Sequence, residues 1–168
     1  MSQSNDLNFR LGVGIMLVNA DKKVFVGKRI DQTAEEENDP HSKVWQMPQG
    51  GIDSEENIET SLWREMQEEI GCSKGKILAE SKGWYTYNFP SDLQLKLWKG
   101  RFLGQKQKWF LIKFEGRDTD INLNSHYPEF SDWKWINHTD LVDIIVPFKK
   151  EIYVKILEEF GWYFKNDL

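Results

Sequence analysis

Apolar residues along this chain either run together in short β-branched stretches or return at every fourth position, and the two habits divide it into strands and helices. Val13 to Val18 and Val24 to Gly27 are β-rich runs, and Asn19-Ala20-Asp21-Lys22 between them predicts a hairpin turn. Ile77 to Phe89 and Lys108 to Phe114 predict two further strands, with Trp109, Leu111 and Lys113 on one face of the second. Trp133 to Ile136 predicts a short one. Ser54 is the expected N-cap of a helix running to Ile70, with Gly71 as its stop. Asp140 to Ile145 predicts a brief helix before Pro147, and Ile152, Ile156 and Phe160 predict a terminal helix over Phe148 to Phe164. Residues 31–43 are polar and acidic and read as a surface loop. Strands, a central helix, more strands and a last helix predict an α/β fold, a mixed sheet with helices packed on it.

Composition narrows the picture. The 168 residues suit a single domain and contain no internal repeat. Eight Trp, five Tyr and ten Phe exceed what a core of this size needs, which leaves some rings for stacking on flat ligands. A single cysteine, Cys72, excludes an internal disulfide and a Cys-rich zinc site, and points to a reducing, cytoplasmic location. No apolar run approaches the ~20 residues of a membrane span, so no membrane partner is expected. Leu11 to Val18 imitates a short signal core, but Gly12 and Gly14 interrupt it and Asp6 precedes it, so a strand is expected there. The net charge of −5 gives no global field for polyanions, DNA included. Phosphates would have to be bound by metal ions and a local basic patch.

The chemistry concentrates between Gly50 and Cys72. With Glu65 at zero on a helical wheel, Glu68 lies about 60° to one side and Glu69 about 40° to the other. Three carboxylates therefore share one narrow face, beside the apolar stripe Ile58, Leu62, Met66 and Ile70. Like charges at these spacings mildly destabilise a helix unless a cation joins them. An oxygen-only cluster suits Mg²⁺, Mn²⁺ or Ca²⁺. Arg64 can orient or partly neutralise the group, and Gly50-Gly51 allows close backbone approach.

Gly50, Glu56, Arg64, Glu65, Met66, Glu68, Glu69, Gly71 and Cys72 stand in the register Gly, five residues, Glu, seven residues, Arg-Glu-apolar-x-Glu-Glu-x-Gly-apolar. This resembles the box of the Nudix hydrolases. Seven of these positions demand one residue type each, so chance agreement is on the order of 10⁻⁹ per window. Cys72 is a small apolar substitute at the last position, and Glu55 stands where many members have glycine. Trp45 to Gly51, Gly104 to Phe110, Pro128-Glu129-Phe130 and Phe148-Lys149-Lys150 are similar to one branch, which holds the bacterial RNA pyrophosphohydrolases and the plant-type diadenosine tetraphosphate hydrolases. The acidic insertion from Ala34 to Lys43 is longer than the bacterial members lead one to expect.

The resemblance implies the Nudix fold, a mixed sheet sandwiched between helices (α/β/α), and hydrolysis of a phosphate anhydride by water attack on phosphorus. It implies a divalent cofactor, Mg²⁺ first, with Mn²⁺ or Zn²⁺ as substitutes. Glu68 and Glu69 would be metal ligands, Glu65 a ligand or the general base, and Arg64 its orienting partner. The carbonyl of Gly50 would complete the coordination and Glu129 would close the site from the opposite side. Glu56, Gly51 and Gly71 would be structural. Candidate substrate contacts are Arg10, Gln49, Lys106, Lys108 and Lys149 for phosphates, with Tyr87 and Phe148 for a base. His41, His126 and His138 are isolated and receive no catalytic role. The expected substrate is 5′-triphosphorylated RNA, with a dinucleoside tetraphosphate as the alternative. A non-catalytic nucleotide sensor is a third possibility that the complete glutamate set disfavours.

Overall fold

The computed structural model describes residues 9–30, 43–91, 101–125 and 128–165. The 31–43 loop therefore lies outside the described residues except for Lys43. Strand β1 (Phe9–Val18) is the axis of the sheet. Along one edge it pairs in parallel with β7 (Gly104–Phe114) over its whole length. Its other edge is shared: β2 (Val24–Arg29) joins at Val18, and β4 (Gln49–Gly51) joins at Gly12 to Gly14. Beyond β2 lie β3 (Trp45–Gln46) and β8 (Phe130–Ile136), both antiparallel to it. Beyond β7 lie β5 (Gly75–Glu80) and β6 (Tyr85–Asn88).

Alternation on β1 and β7 sends side chains into two separate cores. Val13, Ile15, Leu17, Phe110, Ile112 and Phe114 pack with Leu62, Met66 and Ile70 of helix α1 (Ile58–Ile70). Met16, Val18, Trp109 and Leu111 pack on the other side with Leu141 of α2 (Leu141–Ile144) and with Ile152, Tyr153, Ile156 and Phe160 of α3 (Pro147–Phe160). The mixed eight-stranded sheet is thus sandwiched between helices, as expected.

Several boundaries differ from the sequence reading. The run Ile77 to Phe89 is two strands, because Ser81 turns the chain: its hydroxyl donates to the Gly83 carbonyl and accepts from the Trp109 amide. Strand β7 begins four residues before Lys108, continuing its pairing with β1. Trp109 and Leu111 share a face as predicted, whereas Lys113 is exposed. The cap of α1 is Asn57, not Ser54: the Asn57 side chain accepts from the Thr60 amide at 2.8 Å. Ser54 is taken up by a tight turn in which Glu55 has φ +69°. Gly71 ends α1 in the left-handed region, φ +81°, as its stop. Helix α3 ends at Phe160 and continues as a 3-10 turn, Gly161–Phe164.

Candidate active site

Helix α1 and strand β4 bring the acidic segment together through one guanidinium. Arg64 forms a two-pronged pair with Glu56, its Nε at 2.8 Å from Oε2 and its Nη2 at 2.9 Å from Oε1. Its Nη1 donates to Glu65 Oε1 at 2.9 Å and to Glu68 Oε2 at 3.1 Å. Its Nη2 also donates to the Gly51 carbonyl at 2.8 Å, tying the helix to β4. Glu56 in turn accepts from the Asp53 amide at 3.0 Å, which braces the turn before the helix. The Arg64 hydrogen bonds hold the Glu56 carboxyl below the ordinary carboxylate range.

Gly50 lies directly beneath Glu65. A Cβ on Gly50 would sit 1.9 Å from the Glu65 carboxyl carbon, so only glycine leaves room for that group. Burial pushes the Glu65 carboxyl up to about 7; Arg64 opposes the shift, while Glu68 and Glu129 reinforce it. Glu69, only 4% exposed, is raised as well, first by burial and then by Glu65 and Glu129. Its Oε2 accepts from the Gln49 amide at 3.2 Å. Glu129 thus acts electrostatically on both buried glutamates from the residue just before β8, far away in sequence.

Among the described residues, no three Asp, Glu, His or Cys side chains stand in ready metal-ligand geometry. Glu65 and Glu68 each turn an oxygen toward Arg64 instead. The donor chemistry fits a hard divalent cation nonetheless. It is all oxygen, the Gly50 cradle sets the Glu65 carboxyl against backbone, and two buried carboxyls are driven toward protonation by their burial and by neighbouring carboxylates, Glu129 for both. A cation would relieve that repulsion.

A polar row occupies the opposite face of the same end of the sheet. Gln49 donates its side-chain nitrogen to the Tyr87 hydroxyl at 3.2 Å. The Arg10 guanidinium packs on Gly51, where a Cβ would lie 2.2 Å from Nη2. Lys149 is 8% exposed and donates to Gln46 Oε1 at 3.2 Å, with its ammonium 5.6 Å from the Tyr87 ring and 5.8 Å from the Phe148 ring. Lys149 also acts on Glu69 and lowers its pKa, so the two faces of the site sense one another. Tyr87 is buried against Phe89 and Phe148, and burial raises its phenol. It presents a tethered hydroxyl more than a free ring, which leaves half-buried Phe148 as the available stacking surface.

Lys106 and Lys108 are not brought to this row. They alternate with the residues that face it; Lys106 lies 5.8 Å over the Trp84 ring, and Lys108 reaches the Lys82 carbonyl at 3.5 Å. The sequence reading missed Gln46, Gln105 and Gln107, all buried polar residues. The available signal was parity: 105 and 107 share a strand face with Trp109 and Leu111.

The sequence pattern described as the NUDIX domain matches residues 8–156. A protein of Orientia tsutsugamushi (strain Boryong) named RNA pyrophosphohydrolase is 49% identical over 156 residues, covering 93% of this chain and 92% of that one. One of the same name from Rickettsia bellii is 52% identical over 154 residues, covering 92% and 91%. Among solved structures, the E. coli dihydroneopterin triphosphate pyrophosphohydrolase aligns with a TM-score of 0.64 at 15% identity, over 88% of this chain and 95% of its own. A C. elegans Ap4A hydrolase aligns with a TM-score of 0.58 at 18% identity, over 90% and 98%. At such identities the structural likeness establishes the fold alone.

Proposed function

Because the chain belongs to the NUDIX domain family, we propose that it is a metal-dependent hydrolase removing pyrophosphate from the 5′-triphosphate end of RNA. The chemistry rests on one observation above all: the buried Glu65 carboxyl is held against Gly50 by Arg64, and the buried Glu69 carboxyl, which senses Glu65, accepts from the adjacent Gln49 amide. The substrate assignment is supported by relatives about half identical over nearly the whole chain, which carry the name RNA pyrophosphohydrolase.

Water attacks phosphorus, an anhydride P–O bond breaks, pyrophosphate leaves, and the proton of the water passes to a base. A divalent ion, Mg²⁺ by preference, held by the Gly50 carbonyl, Glu65, Glu68, Glu69 and Glu129, would neutralise phosphoryl oxygens and acidify the water. Glu65, as ligand or as general base, is the buried carboxyl that would receive the proton; burial raises its pKa in the metal-free fold, and a bound cation would keep it ionised for that role. Arg64 fixes the Glu65 carboxyl in place through its 2.9 Å bond. Arg10 and Lys149 supply positive charge for the phosphates from the far side of β4, with Phe148 beside them for a base. We place the activity in the cytoplasm, where the buried thiol of Cys72 stays reduced. A dinucleoside tetraphosphate offers the same phosphate chain to the same groups and is the competing substrate.

The test is Glu68→Gln and Glu69→Gln. Each removes a charge from the cluster at nearly constant volume, and each should abolish turnover nearly completely while the melting curve stays close to wild type. Full activity in a folded variant, or in EDTA, would refute the metal assignment.

A further inference from the structure

We infer that Gln107 is a positioning residue: held by the Trp109 indole, it locks the Gln105 amide with its nitrogen toward the site, making a donor-only contact for a phosphate oxygen of the substrate. The inference depends on the proposed function only for the identity of the anion.

The three residues lie at alternate positions on β7 and face the same side of the sheet. Trp109 Nε1 donates to Gln107 Oε1 at 3.0 Å, and Gln107 Nε2 donates to Gln105 Oε1 at 2.9 Å. An amide can ordinarily flip, exchanging its oxygen and nitrogen, but an indole N–H is a donor only. It therefore requires the Gln107 oxygen to face it, which sends the Gln107 nitrogen to the Gln105 oxygen. Both amides are thereby fixed, and Gln105 has its NH₂ left to present.

Two glycines of β1 create the space for this ladder. A Cβ on Gly14 would lie 2.2 Å from the indole ring, and one on Gly12 would lie 3.5 Å from Gln105 Oε1 and 2.6 Å from the Gly50 carbonyl oxygen. Gln105 consequently flanks the same point as the backbone of the acidic site. In the sheet register it stands opposite Arg10 on one neighbouring strand and Tyr87 on the other. Gln105 is 6% exposed, and among the described residues its nitrogen has no hydrogen-bond partner. The sole sealed polar side-chain atom without a partner among those residues is the Ser125 hydroxyl, so the Gln105 nitrogen is not fully sealed from solvent. A buried donor beside a guanidinium, and next to a site for polyphosphate, matches an acceptor that is anionic and carries no proton. A phosphate oxygen is such an acceptor.

The test measures inorganic tripolyphosphate binding by calorimetry in EDTA, separately from turnover of triphosphorylated RNA. Gln105→Leu should weaken tripolyphosphate binding about tenfold, the lower end of what one hydrogen bond to a charged group contributes. Gln107→Leu and Trp109→Phe leave Gln105 in place but free its amide to flip, and each should weaken binding roughly three- to tenfold. Adding Gln105→Leu to either variant should cost nothing beyond Gln105→Leu alone, because the lock acts only through that amide. A merely structural role predicts additive losses that follow the melting temperature, and that result overturns the inference. So does wild-type binding unaffected by Gln107→Leu, or no wild-type binding at all. Should Trp109→Phe fail to fold, Gln107→Leu carries the test alone. If the binding pattern holds but RNA is not turned over, the substrate assignment fails and the ladder stands; RNA turnover without the pattern has the opposite meaning.

Discussion

Gly50→Ala is a single-methyl perturbation aimed at the Glu65 carboxyl, the base or ligand of the proposed reaction. The new Cβ would lie 1.9 to 2.3 Å from the three carboxyl atoms of Glu65, where ordinary contact begins at 3.4 Å. The carboxyl must retreat by more than 1 Å, and Arg64 opposes that, since the bond to Glu65 is one of several that fix its guanidinium on Glu56, Glu68 and the Gly51 carbonyl. A 1 Å misplacement of a reacting group can cost ~10²-fold in rate. We therefore expect kcat to fall about a hundredfold with KM little changed, because the role proposed for Glu65 is exercised mainly in the transition state. Stability should fall by only about 1.5–3 kcal/mol, the scale of one charged hydrogen bond, because the carboxyl can swing outward. Gly83→Ala is the control: its Cβ meets nothing within 4 Å and should change neither quantity. Steady-state kinetics and thermal melts of both variants decide the matter. A folded Gly50→Ala protein with wild-type kcat would show that the Gly50 and Glu65 contact does not position the chemistry.

Two further predictions concern stability. Glu65 titrates near 7 in the fold against an ordinary 4.5, and Glu69 is raised too, so the native state holds protons that the unfolded chain releases. The metal-free protein should therefore lose stability as pH rises through that window, by up to about 3 kcal/mol from Glu65. Melts in EDTA should give a higher Tm at pH 5.5 than at pH 8, and saturating Mg²⁺ should shrink the difference; a higher Tm at pH 8 in EDTA contradicts the buried repulsion. Glu55 pays a left-handed backbone cost at φ +69°, so Glu55→Gly should raise stability by about 1 kcal/mol, ~2–4 °C in Tm, and a lowered Tm would mean that its side chain matters more than its backbone.

The parts of the fold that the sequence discloses are those with a period long enough to see. The α1 stripe and the alternation around Trp109 and Leu111 each repeat several times, and in the structure they pack on opposite sides of the sheet. Strands β3 and β4, of two and three residues, are too short to show any period. The expected cap, Ser54, is displaced because it lies in the turn that Glu56 closes onto the Asp53 amide, and Asn57 accepts from the Thr60 amide instead. In the site, the glutamates and Arg64 are legible because fixed spacing on one helix brings them together. Lys149 is legible as a candidate phosphate contact but not as a buried one, and Gln105 is not legible at all, because a polar residue reads as exposed until its partners are placed. Both are buried by contacts made across the sheet: Gln46 for Lys149, and Gln107 with the Trp109 indole for Gln105.

The most direct test of the central claim is a competition in one tube, with Mg²⁺ present and both substrates below saturation. The protein is offered a 5′-triphosphorylated RNA and diadenosine tetraphosphate, and products are resolved over time. The account predicts RNA ending in a 5′-monophosphate, released together with pyrophosphate, at a kcat/KM above that for the dinucleotide, and no product from the Glu69→Gln protein. Preferential cleavage of diadenosine tetraphosphate, or unchanged RNA beside an enzyme active on other anhydrides, would contradict it.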